Sequence, residues 1–489
     1  MNMTTGAVSS ARLRGERRPS LLRAHDLMFA TDDTIVAIAT PPGRGAVGIV
    51  RLSGPDAARI ASAMIDRPGP LQARHATLAR FAPAGATADA PPRNEIGRAI
   101  DRVLVTHFPA PHSYTGQDIV EISGHGSPVL LDHIVACAMR HGARLAQSGE
   151  FTLRAFLGGR LDLVQAEAVA DLIESITPEQ ARQAFDQLEG TLTRAIGDIE
   201  RGLFDLVARL EASVDFPDEG YHFVAPGEAA EKVGALIRQI DALLAHAKQG
   251  RLIREGSHAA IVGRANTGKS SLFNYLSGSD RAIVTAHPGT TRDLVTERVD
   301  INGIPVTLVD TAGLRAVTDE VEREGVARAR QARAFAQVAI VVLDRSVPLH
   351  AADFDLLRET ARTPRAVVVN KCDLPAAWDS GQLGVESPVE VSLLTGAGAE
   401  ALRPALARAF VATELQRDTP TISNIRHIEL LARARAALTE ASARAVDATP
   451  EEFVLADLQQ ARGALEEITG RRTSADVLTH IFARFCIGK

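Results

Sequence analysis

Cysteine, net basic charge and long apolar runs are all scarce in this chain of 489 residues. Its three cysteines, Cys137, Cys372 and Cys486, are odd in number and far apart. That pattern excludes a disulfide framework, and no Cys/His spacing suggests zinc, so a reducing compartment, the cytoplasm, is expected. No run of about 18 apolar residues occurs, which argues against a membrane-spanning helix. Lys plus Arg number 54 against 60 Asp plus Glu, a formal charge of −6. No global basic field therefore draws in nucleic acid; such a partner must be met by local patches or through another protein. Hydrophobic residues at 45% and charged residues at 23% are ordinary for a globular protein. The length allows roughly three domains.

What is present begins with Gly263-Arg-Ala-Asn-Thr-Gly-Lys-Ser270, a complete phosphate-binding loop. The apolar run Ala259–Val262 leads in and Ser271-Leu-Phe-Asn274 leads out, so a strand precedes the loop and a helix follows it. Glycine lets the backbone wrap a phosphate chain, with inward N–H groups and the helix N-terminus adding positive potential. Asn266, Thr267, Gly268, Lys269, Ser270 and Ser271 are the binding candidates, with Lys269 reaching the terminal phosphates and Ser270 holding Mg²⁺. Two further strand ends follow in order. Val306–Asp310 runs into Thr311-Ala312-Gly313, where Asp310 suits the Mg²⁺ shell and the Gly313 N–H a γ-phosphate. Ala366–Asp373 ends in Asn370-Lys371-Cys372-Asp373. Asp373 can accept the ring N–H and exocyclic amine of guanine while Asn370 serves the base's other edge; adenine would leave that carboxylate unpaired. The three elements together read as a GTP site.

Many GTPases place a water-orienting Gln directly after D-T-A-G. Leu314 stands there and cannot orient water. The Gly- and Thr-rich loop Arg281–Asp293 offers Thr291 to complete the Mg²⁺ shell, with Thr285, Ala286, His287, Pro288, Gly289 and Thr290 beside it. Asp319-Glu-Val-Glu322 is either a negatively charged helix N-terminus or a contributor to hydrolysis.

Around this centre the periodicity changes twice. Thr34–Thr40, Val47–Leu52, Arg102–Phe108 and Ile119–Ile122 read as strands, Val129–Arg140 as a helix, and Ala82–Pro92 as an exposed loop, giving an α+β module. Ile196, Ile199, Leu203, Leu206 and Leu210 recur at helical steps, Phe216-Pro-Asp breaks the pattern, and Ala229–Ala247 resumes it. Leu430, Leu431, Leu438, Leu455, Leu458, Leu465 and Ile468 continue it beyond the nucleotide motifs. One helical bundle built from both stretches, with the G domain inserted at loops near Gly250 and Asp418–Pro420, is the expected arrangement. The expected domains are a disordered leader over 1–32, an α+β module over 33–155, helical halves over 156–250 and 418–489, and a Ras-like P-loop α/β domain over 251–417. The leader carries Arg12, Arg14, Arg17, Arg18 and Arg23; a disordered leader or an early start codon is preferred to an organelle transit peptide.

Pro288–Asp293 with D-T-A-G-Leu-Arg315 and E-V-E-R323 resembles the TrmE/MnmE family of tRNA-modifying GTPases. The resemblance extends to Asp33–Gly45, Ser113–Gly116, Gly124–Gly126, Gly149–Phe156, Leu161–Ala168, Asp215–Glu219 and Phe485–Lys489, covering residues 33 to 489. It implies G domains that dimerise across their nucleotide faces and use K⁺, held by the Asn266 side chain and carbonyls of Thr285, His287 and Thr290. Glu322 falls on the family's catalytic glutamate. The resemblance also implies a formyl-tetrahydrofolate on Arg51, Glu121, Arg160 and Lys489. It implies a homodimer acting with a flavin-dependent partner on C5 of the tRNA wobble uridine. Family members often carry Ser-Ala-Lys/Arg where Ser392-Leu393-Leu394 stands, and Lys at Arg160. Cys486 is either a nucleophile toward a pyrimidine or a small apolar filler, Phe485 and Ile487 suggesting partial burial. The rival reading is a regulatory GTPase switch in ribosome assembly.

Overall fold

The computed structural model describes residues 31–82, 100–215, 226–278, 295–310, 336–410, 422–447 and 449–488. The chain divides into two compact units, one comprising the chain up to Asp162 together with Arg471 onward, the other Leu163–Gly470.

The first unit is built on seven strands: β1 Ile35–Ile38, β2 Gly45–Ser53, β3 Ile65–Asp66, β4 Thr77–Phe81, β5 Asp101–Phe108, β6 Ile119–Gly126 and β7 Arg144–Leu145. Their order is β3-β4-β5-β6-β2-β1-β7, antiparallel throughout except for β1 with β7. In β4 Thr77, Ala79 and Phe81 are buried while Leu78 and Arg80 face out, the alternation of a sheet covered on one side. Helices α1 Ala57–Ala63 and α2 Pro128–Arg140 supply that cover, Ile60, Leu131, Ile134 and Cys137 sharing a core with Val50, Phe81, Val103 and Ile122. Pro128 sits in the first turn of α2, where its missing N–H costs nothing. A further helix, α3 Glu150–Leu157, completes this part. The four expected strands and the helix are present. The two-residue strands β3 and β7 and the five-residue β4 leave too little pattern to be seen in sequence. Most of the expected Ala82–Pro92 loop lies outside the described residues.

The second unit opens with α4 Leu163–Glu174, α5 Pro178–Leu188, α6 Thr191–Asp215, α7 Pro226–Leu244 and α8 Ala247–Glu255. Thr177-Pro-Glu-Gln180 starts α5 with a capping box in which Thr177 and Gln180 satisfy each other's backbone donors. The inserted sheet follows: β8 Ser257–Val262, β9 Val295–Ile301, β10 Ile304–Asp310, β11 Val338–Asp344, β12 Arg365–Asn370 and β13 Val389–Glu390, with α9 Lys269–Gly278, α10 Ala351–Glu359 and α11 Leu402–Phe410. Its order is β13-β12-β11-β8-β10-β9, parallel except for β9 with β10. The central strands are apolar on both faces because both are covered: Ala259, Ile261, Ile340 and Val342 join one core, Ala260, Val262, Val341 and Leu343 the other.

After the insertion, α12 Ile425–Val446 and α13 Glu451–Thr469 return to the bundle. One continuous core holds Ile196, Ile199 and Leu203 of α6, Val233 and Ile240 of α7, Leu431 and Leu438 of α12, and Leu458 and Leu465 of α13. The helical domain is therefore discontinuous in sequence, as the spacing implied. Two boundaries differ. Gly250 is not in a loop but is buried inside α8, so glycine there is not a breaker. The terminal segment also leaves the bundle: α14 Ala475–Phe482 belongs with the first unit, where Phe482 packs on Phe156 and Ile487 bridges Ser148.

Candidate functional site

The phosphate loop joins β8 to α9 as expected, and its shape depends on residues that tolerate close backbone approach. A Cβ at Gly268, where φ is +104°, would collide with the Asn370 amide; one at Gly263 would meet the Val342 carbonyl. Asn266 itself is left-handed (φ 62°) and exposed at the loop's crest, with Ser270 and Ser271 also exposed. Lys269 Nζ donates to the Arg264 carbonyl at 2.6 Å and Thr267 Oγ1 to the same oxygen at 3.0 Å, so the loop is closed on itself. Arg264 in turn reaches Asp353 at 3.1 Å, whose carboxylate also accepts from the His350 N–H at the start of α10.

Parallel pairing gathers the other motifs at the same edge. Asp310 pairs in register with Ile261 of β8, and Asp344 with Asn370 of β12. The carboxyl ends of β8, β10, β11 and β12 thus surround the loop, the usual position of a ligand on an open α/β sheet. Asn370 is 3% exposed and is bonded within the protein at both ends of its amide. Its Nδ2 donates to the Thr267 carbonyl at 2.9 Å and its Oδ1 accepts from the Leu393 N–H at 3.2 Å. It braces the phosphate loop against the base loop. Lys371 is left-handed (φ 66°) and pairs with Asp344 at 2.6 Å. The same paired lysine and two bonds from Ser346 outweigh burial and hold Asp344 below the ordinary carboxylate range. Asp373 stands exposed, its carboxylate free for a ligand's donors among the described residues. Ser392 is fully buried and its Oγ accepts from the Thr395 N–H at 3.1 Å, shaping a tight turn, while Leu394 is 87% exposed.

In the first unit, register places Arg51 of β2 opposite Glu121 of β6. Arg51 donates to Glu121 Oε1 through Nε at 2.9 Å and approaches it through Nη2 at 2.8 Å. Its guanidinium also lies 5.9 Å from the Tyr114 ring centre and 5.8 Å from that of Phe151. Arg160 is exposed beside Gly116, on the wall of a cavity of about 340 Å³ that it shares with Thr115, Gln117 and Arg154. Ser53, on the same face of β2 as Arg51, bonds Thr115 at 2.8 Å and so links the pair to that cavity. Cys486 is exposed, and Ile487 is 54% exposed, so the reading of Cys486 as an apolar filler is wrong, although Phe485 and Gly488 on either side are buried. Lys489, Thr285 through Thr291, Thr311 through Gly313, Leu314 and Glu322 lie outside the described residues, as does the side chain of Asp310.

The family model described as "GTP-binding protein TrmE N-terminus" matches residues 34–160, and that described as "MnmE helical domain" matches residues 163–486. A Koribacter versatilis protein named tRNA modification GTPase MnmE is 45% identical over 464 residues, covering 94% of this chain and 99% of its own length. This chain belongs to the MnmE family. Relatives of the same name in Levilactobacillus brevis and Nitrosococcus oceani are each 40% identical and cover 94% of this chain, and 98% and 97% of their own. Among solved structures, Aquifex aeolicus Era bound to GDP.AlF4− aligns at 23% identity over 37% of this chain and 66% of its own, with a TM-score of 0.26.

Two buried charge networks of this MnmE-family chain were not singled out from sequence. Arg154, 2% exposed, donates to the Asp33 carbonyl at 2.7 Å, to Gln117 at 3.1 Å and to Glu150 at 2.9 Å, while Arg144 grips Asp33 and Glu150 at 2.6 Å each. Burial pushes the Glu150 carboxyl up, but the bonds from Arg144, the Gln147 N–H and Arg154 outweigh it and hold it low. In the helical domain Glu167 of α4 accepts from Arg426 at 3.1 and 2.8 Å and faces His427 Nε2 at 2.7 Å. Arg426 also donates to the carbonyls of Glu467 and Ile468, so one cluster joins both halves of the bundle. The available signal was a charged residue inside an apolar helical run, in E-F-T-L-R-A-F and in V-Q-A-E-A.

Proposed function

We propose that this chain is a potassium-activated GTPase that takes part in C5 (carboxymethyl)aminomethyl modification of the tRNA wobble uridine, with a flavin-dependent partner. The observation that carries this reading is near full-length similarity to proteins named tRNA modification GTPase MnmE, combined with a phosphate loop braced by Asn370 to the Asp373 loop. Asp373 recognises guanine, Lys269 leaves the Arg264 carbonyl for the terminal phosphates, and Ser270 with Thr291 holds Mg²⁺. Asp310, Thr311, Ala312 and Gly313 face the γ-phosphate. Asn266, exposed on a left-handed crest, fits a K⁺ ligand through its side chain, with Thr285, His287 and Thr290 completing the set. A fixed monovalent cation supplies the positive charge that neither Leu314 nor an arginine provides in the transition state. Glu322 acts on the attacking water.

In the first unit the donor set fits a folate. Arg51 holds Glu121 through Oε1 alone, leaving Oε2 to accept the donors of a pterin ring among the described residues. Arg160 and Lys489 meet the carboxylates of the folate's glutamate. The functional assembly is a homodimer that joins its flavin-dependent partner and tRNA.

The deciding experiment compares wobble-uridine nucleosides in cells with and without the chain. Loss of the C5 modification supports the reading; normal modification with a ribosome-assembly defect replaces it by the regulatory switch. Purified protein is expected to turn over GTP faster in K⁺ than in Na⁺ buffer, and Glu322→Ala to abolish the gain. Equal rates in both buffers remove the potassium assignment. Glu121→Ala should greatly weaken folate in a titration, and unchanged affinity removes that site.

A further inference from the structure

A cavity of about 310 Å³ lies in the second unit where the helical domain meets the inserted sheet. It sits toward the opposite end of that sheet from the phosphate loop. Thr307 on its wall pairs with His258 near the start of β8, three strand residues, about 10 Å, short of Asp310. The seam beside it is tightly bonded. Arg254 of α8 grips Asp171 of α4 through Nε at 2.7 Å and Nη2 at 2.9 Å. Gln180 donates to the Arg254 carbonyl at 3.0 Å, and the Thr177 hydroxyl donates to the carbonyl of Gly303 in the β9–β10 turn at 3.1 Å.

Against that background three donors on the cavity wall are unused among the described residues. Gln183 of α5 is only 7% exposed, yet its Nε2 has no hydrogen-bond partner. Ser423, 2% exposed, accepts from Gln187 Nε2 at 3.1 Å and keeps its own proton to give. Arg298 of β9 stands opposite Thr307 with no carboxylate paired to it among the described residues. A buried amide left without an acceptor is destabilising and rare in folded chains. The charges are equally selective. Asp171 is matched by Arg254, and Glu255 by Arg251 at 2.8 Å, which leaves Glu174 and Arg298 on one wall as groups of opposite sign with no ion pair among the described residues. Three carboxylates against two guanidinium groups in the lining disfavour a polyanion.

We propose that this cavity is a binding site for a small zwitterion of free-amino-acid size. Its carboxylate accepts from Gln183, Ser423 and Arg298, and its ammonium faces Glu174. The volume suits the ligand, holding about ten water-sized groups. Bound there, it ties α5 to β9, the antiparallel neighbour of the strand that ends in Asp310, and acts as an effector of the G domain's attachment. This assignment does not depend on the tRNA reading, and its test uses no nucleotide.

The full chain is heated in the presence of each standard amino acid in turn, at about 10 mM, and binding is measured by calorimetry. At least one is expected to raise the unfolding midpoint by a few degrees. Gln183→Met, which keeps volume and removes the donor, should abolish that shift while leaving the ligand-free midpoint unchanged or higher. Arg298→Ala, an exposed strand position, should weaken binding about tenfold. The proposal is overturned if no amino acid shifts the midpoint, or if the shift survives both substitutions. A lower ligand-free midpoint for Gln183→Met also overturns it, because the amide is then bonded within the protein through water.

Discussion

Glu167→Gln should cost the helical domain about 3 kcal/mol at neutral pH, a figure that follows from the environment of one carboxylate. Burial alone would raise the Glu167 pKa; the charge and hydrogen bond of His427, and then those of Arg426, outweigh it and lower the value from the ordinary 4.5 to about 2. At 1.36 kcal/mol for each tenfold change in proton affinity, that gap gives about 3 kcal/mol. Breaking a buried pair by removing one partner costs about 3–5 kcal/mol in general, which agrees. His427 has no exposed surface and its Nδ1 finds no partner among the described residues, so the ring is held at Nε2, by Glu167 at 2.7 Å with Arg426 at 3.0 Å. Because the folded pKa is depressed, the stabilisation is complete above pH 4.5 and is lost as the pH falls toward 2. Linkage leaves about 2.5 kcal/mol at pH 4 and about 1.5 kcal/mol at pH 3. The single tryptophan, Trp378, donates to the Asp344 carbonyl in the inserted domain and reports on that domain only. The bundle must therefore be followed by hydrogen exchange of α12 and α13 amides during urea unfolding, for both proteins at pH 7 and pH 4. A difference below about 1 kcal/mol at pH 7, or one that does not shrink on acidification, would refute the reasoning.

Two further outcomes concern the nucleotide site. Asp373→Asn replaces an acceptor by an amide that faces two guanine donors with its own N–H; GTP affinity should fall about 10- to 100-fold, and xanthosine triphosphate, with a carbonyl at that edge, should bind better than GTP. Retained preference for GTP in competition titrations would remove Asp373 from base recognition. Asn370→Ala deletes both bonds between the phosphate and base loops, so Trp378 fluorescence in urea should report a loss of about 2–3 kcal/mol along with nucleotide binding. A loss under about 1 kcal/mol would mean that the brace is not what holds the loops together.

What could be read from sequence and what could not divides along a physical line. Strands apolar on both faces, a loop rich in glycine and a helical spacing repeated on both sides of it each leave a local pattern, and β8, β12, the phosphate loop and the four-helix core follow from those patterns. Side-chain roles set by distant partners leave none. Asn370 belongs to a base-recognition motif, yet the bonds that brace the loops through it run to Thr267, 103 residues earlier, and Leu393, 23 residues later. Glu167 meets Arg426 across 259 residues, a span that the inserted domain creates and that no periodicity can encode. The same insertion explains the boundary that differs: a loop is expected near Gly250, whereas α8 runs through it so that Arg254 can reach Asp171. A flexible loop there would let the inserted domain swing freely. The continuous helix, the Arg254–Asp171 clamp and the Thr177–Gly303 bond instead fix its lower edge to the bundle, so movements at the nucleotide edge are leveraged against a held base.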